Sequence, residues 1–197
     1  MKNQDIQIIT APPDEVEINQ NELAARLKVN RGYQSDALDR CRQRLLEVIT
    51  YQCAYIRTAV DLSVENRCDF GFMTIDSKNL YRNLNGCREA FVMAVTTGIG
   101  VDRLLARLNV SSQAEHFMTD ALSSAAVESF CDYVSDKMKT GIRTAPRFSP
   151  GYGDVSIEVQ KPLLDRLNAA QLLGITLNNA YLMTPVKSIT AIMGVRQ

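Results

Sequence analysis

The sequence predicts an α+β domain, in which a twisted, mostly antiparallel sheet is packed by helices. Residues 35–50 carry apolar side chains at spacings of three and four, which is typical of an amphipathic helix. Residues 55–62 alternate in the manner of a strand, with Ile56, Thr58 and Val60 on one side. Strands and helices follow one another without a regular βαβ rhythm, and this favours α+β over a doubly wound sheet.

The first 87 residues are predicted to contain an extended arm followed by short helices and strands. Pro12 and Pro13 disfavour a helix in the arm, residues 1–20. Ser35 is a plausible N-cap for a helix that reaches about Thr50. The other predicted elements are a short helix over 21–28, strands over 55–62 and 70–75, and helical turns over 77–84.

Residues 88–197 begin with the most apolar segment of the chain. The run from Ala90 to Val95 leads into Thr96-Thr97-Gly98, which predicts a central strand over 89–95 that enters a helix. Ser111-Ser112 is predicted to cap a long helix over 111–139. The remaining predicted elements are helices over 101–108 and 157–173, a loop over 143–154, and strands over 177–182 and 188–195. We expect the two parts, 1–87 and 88–197, to form one compact domain.

Composition excludes several classes of protein. Lys plus Arg and Asp plus Glu both number 22, so the net charge is zero, which argues against a nucleic-acid binder. The hydrophobic fraction of 46% excludes a disordered polar chain. No apolar run reaches the roughly 20 residues of a membrane span, and residues 1–10 lack the apolar core of a secretory signal. These observations predict a protein of the cytoplasm without a membrane partner.

The cysteines and the one histidine give no metal-site pattern. The odd number of cysteines and the absence of a Cys-x-x-Cys pair favour reduced thiols in the core. The cysteines are Cys41, Cys53, Cys68, Cys87 and Cys131. With His116 alone, a His-rich zinc site is impossible, so any redox metal chemistry must come from a partner or a small-molecule cofactor.

The segment 147–152 combines residue types that are suited to binding a small ligand. Arg147 is able to clamp a carboxylate, Gly151 lets a ligand approach the backbone, and Tyr152 offers a ring and a hydroxyl. Glu128 has small neighbours on its predicted helix, so its carboxylate is reachable. From these residues alone, a surface turn with an exposed arginine and a solvated glutamate is an equally simple interpretation.

The order of motifs in the carboxy-terminal half resembles a known family. A helix of small residues with Glu128 precedes Arg-x-x-x-Gly-Tyr at 147–152, and a Leu-rich helix follows. The segment 177–190, with Met183, Pro185 and Ser188, comes last. Together with 94–98, these pieces resemble the activation domain of cobalamin-dependent methionine synthase over roughly residues 88–197.

This resemblance implies a domain that binds S-adenosylmethionine. By position, Arg147 looks like the arginine that holds the methionine carboxylate, and Gly151 like the backbone contact to the adenosine. Tyr152 looks like the tyrosine beside the ligand, and Glu128 like the acidic residue near the sulfonium. The resemblance implies no catalytic acid or base on this chain, because the cobalt(I) nucleophile that takes the methyl group needs no base.

The resemblance also implies partners. We expect a stand-alone reactivation subunit that acts on a separate cobalamin-binding methyltransferase, methionine synthase of methionine biosynthesis in particular, with flavodoxin or another electron donor. Cobalamin would then reach the chain only through that partner.

A second hypothesis is a non-catalytic binding or scaffold module that senses S-adenosylmethionine or docks a corrinoid protein. Asn178 and Asn179, which stand where the family has an acidic stretch, favour this second hypothesis. A third possibility is an unrelated enzyme that uses the same pocket.

Overall fold

The computed structural model describes residues 6–196, and its centre is a five-stranded antiparallel sheet. The strands lie in the order β1-β2-β5-β9-β6. Their bounds are β1 Gln7–Ala11, β2 Tyr51–Ala59, β5 Cys87–Thr96, β6 Arg143–Thr144 and β9 Ser188–Arg196. Strands from both parts of the chain therefore pair in one sheet, and the predicted α+β class with its antiparallel sheet is confirmed.

Helices cover both faces of this sheet. The first face packs against α1 Gln20–Leu27, α2 Asp36–Leu46, α4 Ile99–Ser111 and α5 Gln113–Met138. The second face packs against α3 Lys78–Asn83, α6 Gln160–Arg166 and α7 Ala169–Leu172. Two small hairpins complete the fold, β3 Arg67–Asp69 with β4 Thr74–Asp76, and β7 Thr176–Leu177 with β8 Met183–Thr184.

Strand β5 is central because its side chains are buried on both faces. Residues 90–96 are all buried. Phe91, Met93 and Val95 belong to the core under α5, whereas Val92 and Ala94 belong to the core under α6. Successive side chains of a strand point to opposite faces, so a continuous apolar run is what a sheet covered on both sides requires.

Helix α5 crosses the first face in one piece. Its 26 residues span about 39 Å at 1.5 Å per residue. The Ser112 side chain accepts a hydrogen bond from the Glu115 backbone N–H at 3.3 Å, which caps the helix as predicted. Small buried residues between Ala121 and Ala126 let α5 lie close to the sheet.

Three predicted elements differ from the structure. The helix predicted over 157–173 is wrong as a single element, because Asn168 takes a left-handed conformation (φ 50°) between α6 and α7. The strand predicted over 177–182 is wrong, because residues 178–181 form the turn of the β7–β8 hairpin. Most of the strand predicted over 70–75 is likewise a turn, which Gly71 (φ 78°) helps to form.

The cysteine prediction is confirmed, since all five thiols are buried and unpaired. Burial raises the pKa of the Cys131 thiol to about 12, although the nearby Arg147 acts in the opposite direction. Between residues 6 and 196, no helix combines the length and apolar character that a membrane span needs.

Candidate functional site

The segment that carries Arg147 runs alongside the carboxy-terminal half of β9. The Phe148 backbone N–H donates to the Ile192 carbonyl at 2.8 Å, and the Ile192 N–H donates back at the same distance. The Phe148 side chain lies in the core under α6. The neighbouring side chain, Arg147, lies instead against α5, as the alternation of extended backbone requires.

Arg147 is held by two carboxylates and a hydroxyl of α5. Its Nη1 lies 2.8 Å from Asp132 Oδ1 and 3.1 Å from Ser135 Oγ, and its Nη2 lies 3.6 Å from Glu128 Oε2. Residues 128, 132 and 135 follow one another at one-turn spacing, so their side chains share one face of the helix. We call these four residues the arginine cluster. The Arg147 side chain is 23% exposed and the Glu128 side chain 42%, so the cluster lies at the protein surface.

The turn after Arg147 explains why Gly151 is a glycine. Gly151 has φ 83°, and its backbone N–H donates to the Val155 carbonyl at 2.9 Å. A side chain at this position would meet Ile157 Cδ1 at 2.9 Å. Tyr152 is 72% exposed, and its ring lies edge-on against that of Phe148 with 5.7 Å between the centroids.

Helix α3 anchors both ends of this loop. The Asn83 side-chain amide donates to the Pro146 carbonyl at 3.2 Å. The Asp154 carboxylate accepts from the Ser77 hydroxyl and from the backbone N–H groups of Lys78, at 2.9 Å, and Asn79. The hydrogen bond from Ser77 is the largest cause that lowers the pKa of Asp154 below its usual value.

A second cation pairs with α5 further toward its amino terminus. Lys187 Nζ lies 2.7 Å from Asp120 Oδ1 and 2.8 Å from Ser124 Oγ, and its side chain is only 12% exposed. Asp120 and Ser124 continue the one-turn spacing of Glu128 and Asp132. One ridge of α5 is therefore polar along its length and is bound by Lys187 and Arg147 from the loops beside it.

The predicted site residues thus fall into two groups. Arg147 and Glu128 are in contact with each other, although the resemblance assigns them to two different groups of the ligand, the carboxylate and the sulfonium. Gly151 and Tyr152 lie in the following turn, with Tyr152 against Phe148. The ligand roles predicted for these four residues stay predictions.

The residues that position the loop were not predicted from the sequence. Asp132 and Ser135 could have been found from the sequence, since they follow Glu128 at the spacing that places side chains on one helical face. No sequence pattern indicates Asp154 or Lys187, because their hydrogen-bond partners lie 77 and 67 residues away in the chain. In the part of the chain from 6 to 196, no three His, Cys, Asp or Glu side chains gather as a metal site.

A separate concavity lies between α6–α7 and the β7–β8 hairpin. It has a volume of about 590 Å³, and its lining includes Leu164, Asn168, Ile175 and Tyr181. None of residues 147–152 lines it. The arginine cluster is therefore a surface site, separate from this groove.

Comparison with known proteins gives a match in structure but not in sequence. No family model and no curated protein matches the sequence. The fold is similar to a solved structure described as the crystal structure of the MetH reactivation domain bound to AdoHcy, with a TM-score of 0.75. The match covers 97% of this chain and 78% of that chain at 11% identity. This level of identity shows a shared fold, and it is the fold that the motif resemblance implied.

Proposed function

We propose that the chain binds S-adenosylmethionine beside the arginine cluster and serves as a reactivation component for a cobalamin-dependent methyltransferase, methionine synthase in particular. The observation that carries the proposal is the fold match over 97% of the chain to a reactivation domain that holds AdoHcy. The loop 147–152, which the motif order singled out, adds charged groups of both signs at one place on that fold.

The charges of the arginine cluster fit this ligand. S-adenosylmethionine carries one carboxylate and two positive groups, the ammonium and the sulfonium. Arg147 offers the guanidinium for the carboxylate, and a planar guanidinium binds a carboxylate through two parallel hydrogen bonds. Glu128 makes the longer contact with Arg147, at 3.6 Å, and is the carboxylate least committed to it. We assign Glu128 to a positive group of the ligand.

The loop supplies the other proposed contacts. Gly151 exposes backbone for the adenosine, because a side chain there is excluded by its positive φ and by Ile157. Tyr152 presents an exposed ring and hydroxyl beside it. Helix α3 holds the loop at Pro146 and Asp154, so these contacts are arranged before the ligand arrives.

The chain's part in the reaction is positioning. When bound, the ligand would supply its methyl group to a partner's cobalt, once an electron donor such as flavodoxin had reduced cob(II) by one electron, and the electron pair of the broken S–C bond would stay on sulfur. No side chain of this protein needs to move a proton for that transfer. The rate gain comes from orientation of the methyl group, which is a large effect when two reactants are held in line.

The test has a binding stage and a transfer stage. Isothermal titration of the full chain with S-adenosylmethionine should give a saturable heat, and ligand should raise the melting temperature. Label from methyl-labelled S-adenosylmethionine should then reach cobalamin on a methionine synthase that lacks its own activation domain, in the presence of reduced flavodoxin. Absence of both heat and thermal shift contradicts the proposal.

One observation favours the alternative of a non-catalytic module. Arg147 already donates to Asp132 and Ser135, so a ligand carboxylate competes with a pre-existing ion pair at 2.8 Å. Competition of this kind weakens binding and suits a sensor of high ligand concentration. Ligand binding together with no methyl transfer to any loaded partner would support this alternative over reactivation.

A further inference from the structure

The groove between α6–α7 and the β7–β8 hairpin has an apolar floor and a polar rim. Leu164 and Ile175, which are 5% and 1% exposed, form part of the floor. Asn168, Asn179 and Tyr181 lie at the rim. Its volume of about 590 Å³ falls within the range of roughly 300–1,000 Å³ that is common for small-molecule pockets.

Tyr181 adopts a backbone conformation that tyrosine rarely takes. Its φ is 58°, in the left-handed region that favours glycine and asparagine. Four residues other than glycine have a positive φ between positions 6 and 196, and Tyr181 is the one aromatic residue among them. Strained backbone of this kind persists where the surrounding structure imposes it, and it clusters at functional sites.

Buried polar groups impose this conformation on the hairpin tip. Gln160, which is 4% exposed, donates from its side-chain amide to the Tyr181 carbonyl at 3.1 Å. The Gln160 amide oxygen in turn lies 3.5 Å from the Thr190 hydroxyl of β9. The Tyr181 backbone N–H donates to the Asn178 carbonyl at 3.0 Å. The tip is thereby tied to the central sheet, and the tyrosine ring is held at the groove.

The charges at the rim cancel. Lys161 Nζ lies 2.9 Å from Asp165 Oδ2, and both side chains line the groove. The hydrogen bond to Asp165 is the main cause that raises the pKa of Lys161 above its usual value. The groove therefore has no net charge with which to attract a phosphate or a free cation.

We propose that this groove is a second small-molecule site, which takes the heterocyclic base of a neutral nucleoside. Tyr181 offers a ring on which a base stacks, and such stacking requires no particular base. The amide of Asn179 presents a donor and an acceptor side by side, the pattern that matches the edge of an adenine. The proposal stands apart from the proposed function, because it uses none of residues 128 or 147–152.

The experiment titrates the full chain with adenosine and compares two glycine variants. In Tyr181→Gly the ring is lost, but both hydrogen bonds to the backbone of residue 181 are retained and the left-handed conformation becomes favourable. We expect Tyr181→Gly to melt at an equal or higher temperature while it binds adenosine at least tenfold more weakly. Lys28→Gly is the matched control, since Lys28 has φ 57° at the end of α1, away from the groove. It should gain stability and keep the affinity for adenosine.

Several outcomes overturn the proposal. They are the absence of adenosine binding to the wild-type chain, unchanged binding in Tyr181→Gly, and binding of adenosine monophosphate when adenosine itself does not bind. If Tyr181→Gly fails to fold, Asn179→Ala decides the matter, because Asn179 is exposed and its removal leaves the hairpin bonds intact. Adenosine should bind Asn179→Ala severalfold more weakly, and equal binding contradicts the proposal.

Discussion

The arginine cluster and the hairpin groove reach a defined geometry by different physical means. In the arginine cluster a rigid helix, α5, presents carboxylates and a hydroxyl that orient one long side chain, Arg147. In the groove a buried amide, Gln160, constrains the backbone itself and holds Tyr181 at φ 58°. The first arrangement depends on charge and is open to water, whereas the second depends on backbone strain and has no net charge.

This difference predicts different responses to ligands and to mutation. An exposed ion pair contributes about 0–1 kcal/mol to stability, so changes in the arginine cluster should alter ligand binding far more than folding. Replacing the strained Tyr181 with glycine should do the reverse. It should increase the stability of the fold while it removes the contact between the ring and the ligand.

The largest effect is expected for Arg147→Ala. Loss of hydrogen bonds to a charged group costs roughly 1.5–3 kcal/mol, which is about ten- to hundredfold in affinity for S-adenosylmethionine. Titration calorimetry measures the affinity, and thermal unfolding should show little change. Arg143→Ala, in the adjacent exposed strand β6, is the control and should bind normally. A variant that unfolds easily yet binds with native affinity would show that Arg147 is a structural residue.

Glu128→Gln should have a smaller effect that depends on ligand charge. The positive sulfonium of S-adenosylmethionine gains from a nearby carboxylate, and the neutral thioether of S-adenosylhomocysteine does not. We expect the preference for S-adenosylmethionine to fall about three- to tenfold, and the loss should shrink in high salt. Asp136→Asn is the control, because the Asp136 side chain lies on α5, is 77% exposed and pairs with Lys139 instead of Arg147. Equal losses for both ligands would place Glu128 away from the sulfonium.

Asp154→Asn should reveal the anchoring of the loop through its pH dependence. Hydrogen bonds from Ser77 and from two backbone N–H groups lower the pKa of Asp154 in the folded state. A lowered pKa stabilises the fold above the unfolded value, about pH 4, and this contribution is lost as the pH falls through the folded value. The melting temperature of the wild type should therefore fall more steeply from pH 5 to pH 3 than that of Asp154→Asn. Parallel curves would mean that Asp154 does not anchor the loop.

No effect is expected for cobalamin added to the chain alone. Base-off cobalamin requires a histidine ligand in an oriented loop, and His116 lies in the first turns of α5 instead. The zero net charge also provides no broad attraction for the cobalamin phosphate. Spectra of cob(II)alamin should be unchanged by the protein. A shift of the cobalt band that disappears in His116→Ala would make the chain a corrinoid protein in its own right.

The parts of the fold predicted well from sequence are those set by local periodicity. The apolar run 90–95 predicts a strand covered on both faces, and β5 is that strand. Ser35 and Ser112 were predicted as N-caps, and their side chains accept the expected hydrogen bonds. In these cases the residues that determine the conformation lie within one turn or one strand of each other.

The pairing of distant segments was decided by tertiary structure alone. The order of motifs indicates Arg147 and Glu128 as site residues, but their mutual contact and the role of Asp132 depend on where the loop crosses α5. Asp154 caps a helix that begins 76 residues earlier, and no local pattern indicates this.

The backbone of the β7–β8 hairpin is a second feature that local sequence does not predict. A strand was predicted over residues 177–182, but Asn178 Oδ1 accepts the backbone N–H groups of Ala180 and Leu182, and Gln160 donates to the Tyr181 carbonyl. The sequence by itself determined which segments are apolar enough to form the sheet and its helices, because burial depends on the periodicity of neighbouring residues. Tertiary structure alone decided the turn at Tyr181 and the partners of Arg147, because each depends on polar groups far away in the chain that only the folded sheet brings within hydrogen-bonding distance.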